Sequence, residues 1–134
     1  MTDIEAVIGD YLRSHPDITA IVGSRVGART PHDLSEPWIR FALLTESTSS
    51  RPLHRTTATL QLDCYAGSDE TIARGQAARL ARATRTALEE LATAAVASAV
   101  ISAVSHLALR PLPDDDLKPP RERFILTEEV ILHP

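Results

Sequence analysis

Near the start of the chain, apolar residues return at intervals of three and four. Ile4, Val7, Ile8, Tyr11 and Leu12 make one stripe, which predicts an amphipathic helix over residues 3–13. Thr2 or Asp3 can cap it, Glu5 suits its first turn, and Pro16 ends it. A short helical turn capped by Asp17 follows, carrying Ile18 and Val22, before Gly23 and Gly27 break the pattern. Arg25-Val26 reads as a short connecting strand or loop. The dense apolar run "WIRFALL", residues 38–44, predicts a strand. "TTATLQLDCYA" alternates: Ala58, Leu60, Leu62 and Cys64 point one way, and Thr57, Thr59, Gln61 and Asp63 the other. After Gly67, with Ser68-Asp69 as cap and Glu70 in the first turn, helical spacing resumes to about Ala92. Ile72, Ala73, Leu80, Ala83, Ala87, Leu88 and Leu91 share its apolar arc. β-Branched residues predict a strand over residues 100–109. "RFILTEEVILH" predicts a last one, with a face shift or bulge where its alternation is imperfect.

Two polar stretches, about residues 45–56 and 110–122, read as loops rich in Ser, Thr, Asp and Pro. The order is helix, strand, loop, strand, helix, strand, loop, strand. It predicts an α+β fold in a single domain over residues 1–134. Its four-stranded, mostly antiparallel sheet packs against one long helix plus an N-terminal helix.

Composition narrows the function. Aromatic residues make up 4% of the chain, too few for base-stacking platforms, so the core is built from aliphatics and alanine. The net charge of −4 does not suit a protein that lives on duplex phosphate. A single cysteine, Cys64, excludes an intramolecular disulfide. The N-terminus carries acids where a signal peptide would carry bases, and "LATAAVASAVISAV" is too short to span a bilayer. A soluble cytoplasmic product with no membrane partner is expected.

The search for reactive chemistry returns little. His15, His32, His54, His106 and His133 do not stand at metal-ligand spacing with one another or with Cys64. Cys64, on the apolar face of its strand, reads as a small buried hydrophobe. Asp114-Asp115-Asp116 lacks the spaced oxygens and central glycine of a calcium loop and reads as a solvated loop. "GSDET" lacks the glycine spacing and lysine of a phosphate loop. No catalytic residue, cofactor or metal is expected. The long helix carries Arg74, Arg79, Arg82 and Arg85. With Arg74 at zero, Arg85 falls at about 20°, Arg82 at about 80° and Arg79 at about 140°. That arc suits phosphate contact, simple solvation, or pairing with acids of a neighbouring subunit.

The layout resembles the tail terminator (tail completion) proteins of long-tailed bacteriophages. Four features carry the likeness: the helix followed by "DITAIVGSRVGARTP"; the strand "PWIRFALLTES"; the strand-to-helix passage "LQLDCYAGSDETIARGQAARL"; and the finish "RPLPDDDLKPPRERFILTEEVILHP". The likeness covers almost the whole chain as a pattern of elements, and none of the motifs is catalytic. It implies a structural virion protein at the head–tail junction, made in the host cytoplasm. Six copies would form a ring that caps the tail tube, stops its growth and joins the head connector. Implied partners are further copies of the chain, the major tail tube protein, the connector or stopper protein and the tape measure protein. Genomic DNA would pass through without specific binding. The interface candidates are Glu46, Ser47, Arg51, His54 and Arg55 in the first polar stretch, and Arg74, Arg82 and Arg85 on the helix. Asp114, Asp115, Asp116 and Lys118 represent the second stretch. A connector or stopper subunit is the nearest alternative; a small ligand-binding or enzymatic α+β domain is the alternative of another class.

Overall fold

The computed structural model describes residues 3–49, 55–68, 71–92, 95–96 and 99–133. Three helices, α1 (Ile4–Ser14), α2 (Pro16–Val22) and α3 (Ala73–Leu91), accompany six strands. The strands are β1 (Val26–Gly27), β2 (Trp38–Ser49), β3 (Arg55–Tyr65), β4 (Ala95–Val96), β5 (Ala99–Pro111) and β6 (Arg123–His133). They form one sheet in the order β1-β2-β3-β6-β5-β4, antiparallel except where β1 runs parallel to β2. The four expected strands are its four long members. The two extra strands have two residues each: β1 falls where Arg25-Val26 reads as a short strand or loop, and β4 is too short to show any period in the sequence. The extra helix, α2, is the expected turn, but it begins at Pro16 and is capped by His15, whose Nδ1 accepts the Asp17 amide at 3.2 Å.

The helices lie on one face of the sheet. Ile4, Ile8 and Leu12 of α1 and Leu80, Leu88 and Leu91 of α3 join one core with Ala58, Leu60, Leu62 and Cys64 of β3. Phe124, Leu126, Val130 and Leu132 of β6 complete it. α3 presents alanine to this core at Ala73, Ala77, Ala78, Ala81 and Ala87, which sets helix and sheet close together. At the N-terminus of α1, the Asp3 carboxylate accepts the Ala6 amide at 3.2 Å, as the pattern predicts.

Three sequence expectations need correction. The polar stretch at about residues 45–56 is mostly strand. Thr45↔Thr59, Glu46↔Ala58, Ser47↔Thr57 and Thr48↔Thr56 continue the β2–β3 ladder. Threonine is a good strand former, and its polarity disguised an exposed edge as a loop. The bulge expected in the last strand is absent there, because β6 pairs with β3 without a break from Thr56↔Leu132 to Tyr65↔Arg123. The irregularities lie in other strands: Ser102 and Leu107 are extra residues in β5, and Leu44 is one in β2. Finally, α3 begins at Ala73, with Ile72 in the cap position and no side-chain cap bond. Ile72 is 53% exposed and leaves the apolar arc, and Asp69 and Glu70 lie outside the described residues. Gly67 marks a tight approach instead, since a Cβ there would lie 2.5 Å from the Ser35 carbonyl oxygen.

Candidate interface surfaces

Any chemistry would start from the ionisable groups. His15 is committed on both nitrogens. Nδ1 accepts the Asp17 amide, so the ring proton sits on Nε2 and faces Glu90 Oε2 at 2.8 Å. His15, Asp17 and Glu90 could bring ligand atoms together. A cation on Nε2, however, would force the proton onto Nδ1, against the Asp17 N–H. The geometry suits a helix cap better than a metal site.

His106 bridges β5, β6 and α3: Nδ1 faces Glu128 Oε2, and Nε2 faces Glu89 Oε1 at 2.7 Å. Glu128 is fully buried, and its Oε1 has no partner among the described residues. Burial pushes its pKa up, against the opposing pull of the His106 bond and of the His106 and Arg85 charges. Cys64 is buried too, and loss of water raises its thiol to about 12. It is an inert core residue at neutral pH.

A second polar group lies at one end of the helix-free face. Tyr65 stacks on Trp38, with ring centroids 4.3 Å apart and an interplanar angle of 7°. The Tyr65 hydroxyl donates to Asp114 Oδ2 at 2.8 Å and accepts from Arg40 at 2.8 Å and Arg123 at 3.3 Å. Burial, then the bond to Asp114, raises the phenol to about 12. Burial works against the Asp114 carboxylate, but the Tyr65 hydroxyl, the Asp116 amide and the two arginines outweigh it and hold the pKa below the ordinary value. This group fastens the chain between β5 and β6. Asp114 also exchanges backbone bonds with Arg121, Arg121 Nε donates to the Leu34 carbonyl, and Arg123 Nε donates to that of Leu112.

The sequence-predicted interface residues therefore separate. Asp114 is buried inside the subunit, whereas Asp115, Asp116 and Lys118 on the same segment are exposed. Glu46, Ser47 and Arg55 are exposed at one end of the β2–β3 hairpin, and Arg51 and His54 lie outside the described residues. Arg74, Arg79 and Arg82 are exposed on the side of α3 away from the core and make no ion pair with a described residue. Arg85 is half-buried and its charge reaches Glu128. The structure does not gather the described members of this set into one site. Sequence reasoning missed Tyr65, Trp38, Arg40 and Arg123, whose cluster depends on the β2–β3–β6 register and leaves no local motif.

A small α+β subunit with its polar chemistry on faces, edges and a pinned loop, and with His15 and His106 held in internal bonds, fits the class of structural assembly proteins. The chain belongs to the tail completion protein gp17 family, which it matches over residues 6–121, and is thus a tail structural protein. In fold it is similar to a chain in the structure described as the virion of a native gene transfer agent particle. The TM-score is 0.70 at 17% identity, over 98% of this chain and 95% of that one. No curated protein matches the sequence.

Proposed function

We propose that copies of this chain close into a ring, six-membered as in the tail terminators it resembles, that caps the finished tail tube, ends its polymerisation and presents a surface to the head connector. Family membership over residues 6–121 carries this reading. The placement of charge supports it. Arg74, Arg79 and Arg82 of α3 face away from the core on the helix side of the sheet, available to the acids of a neighbouring subunit. The middle of the helix-free face carries Thr57, Thr59, Gln61, Thr127 and Glu129 in register, and Arg40, Arg110 and Arg123 stand toward its Tyr65 end. The subunit works by docking, on the tube, the connector and its own copies, and carries out no reaction.

The test is removal of the gene from a phage or prophage that encodes it. A terminator's absence yields headless tubes of uncontrolled length in negative-stain images. Tubes of normal length that fail only to join heads would place the protein in the connector instead.

A further inference from the structure

The sheet has two incompletely covered edges, and they match. β1 covers β2 only at Ile39 and Arg40, and β4 covers β5 only at Ala99 and Val100. The Leu43 amide is taken by Glu5 Oε1 of α1 at 3.3 Å. Beyond it, among the described residues, no strand lies on the outer side of residues 44–48 of β2 or residues 101–107 of β5. Neither segment contains a lysine, an arginine or a proline, and the charged residue they carry is Glu46 of β2.

The register puts the two segments at the same height. Leu43 pairs with Leu60, Leu60 with Glu128, and Glu128 with His106. At the other end, Thr48 pairs with Thr56, Thr56 with Leu132, and Leu132 with Ile101. Open segments at opposite edges thus span the same rows. β4 lies beyond one limit of this window and β1 beyond the other, so neither obstructs it. The bulge residues Leu44 and Leu107 flank the same row, and both project to solvent, at 49% and 53% exposure. With β3 and β6 between them and every pairing antiparallel, β2 and β5 run in opposite directions. Rotation about an axis along the strands, without a shift, would bring β2 of one copy beside β5 of the next in antiparallel pairing.

We propose that these edges are the two halves of a heterologous interface between copies of this chain, with Leu44 of one copy against Leu107 of the next and the sheet continuing across the boundary. An interface of this kind closes into a ring when the rotation allows. The inference rests on the ring reading above and names the surfaces that would make it.

The experiment uses full-length protein with Leu44→Cys or Leu107→Cys, Cys64 being buried and unreactive, and a short bismaleimide. A mixture of the two variants yields a covalent dimer that neither yields alone, and the double variant yields a ladder ending in a closed species. Cross-linking of L107C with itself, or of L44C with itself, would show a two-fold pairing and overturn the proposal. Rings seen by electron microscopy without the mixed cross-link overturn the edge pairing and leave the ring reading standing. A chain that self-associates neither in solution nor on tail tubes overturns both.

Discussion

Tyr65 ties three strands and a loop through one hydroxyl, so its removal should be felt beyond its own volume. Tyr65→Phe keeps the stack on Trp38 but takes a donor from the buried Asp114 carboxylate. A loss of about 1–3 kcal/mol in urea unfolding is expected. Asp114 and Glu128 act on pH stability with opposite signs. The folded pKa of Asp114 is depressed, so its contribution is present above the unfolded value of about 3.9 and is lost as pH falls through the folded one. That of Glu128 is raised, so the folded state binds the extra proton, and stability falls as pH rises from the unfolded value through the folded one. Glu128→Gln should remove this second decline, leaving a flatter profile on the alkaline side of about pH 4.3 in denaturant titrations across pH. An unchanged profile would show that Glu128 does not drive it.

Elements that packed one apolar face against a core were legible from spacing alone. The α1 stripe, the β3 alternation and the body of α3 lie where Ile4, Leu60 and Leu88 require them. What the sequence concealed was where polar chain becomes strand. Among the described residues, residues 45–48 pair on one side only, so nothing selects apolar residues there, and their threonines resemble a linker. Excising residues 47–50 would consequently remove ladder pairs as well as surface. The tight passage into α3 was equally hidden, because the atom that Gly67 must avoid belongs to Ser35, far away in sequence. Gly67→Ala should lower the thermal midpoint by forcing that backbone apart, whereas Gly75→Ala, with open space around it, should leave it unchanged or raise it. Parallel melting curves of the two variants decide this.

At the scale of the molecule, the arginines of α3 divide into two kinds. Arg82 is exposed and pairs with no described residue, so Arg82→Glu should leave unfolding unaltered while reducing ring formation on tail tubes, as counted in negative stain. Arg85 is half-buried near Glu128, so Arg85→Glu sets like charges together and should lower stability whatever happens to assembly. Normal assembly of the Arg82 variant would return that residue to plain solvation. The alanine seam beneath the same helix has a consequence for dimensions. Ala77, Ala81 and Ala87 let α3 lie low over β3 and β6, and that separation sets the wall thickness of anything built from repeated copies. Leucine at Ala81 would jack the helix outward, at about 1–3 kcal/mol for one subunit. Repeated at every position around a closed annulus, the same swelling would alter its outer girth, and with it the fit to a tube of fixed calibre.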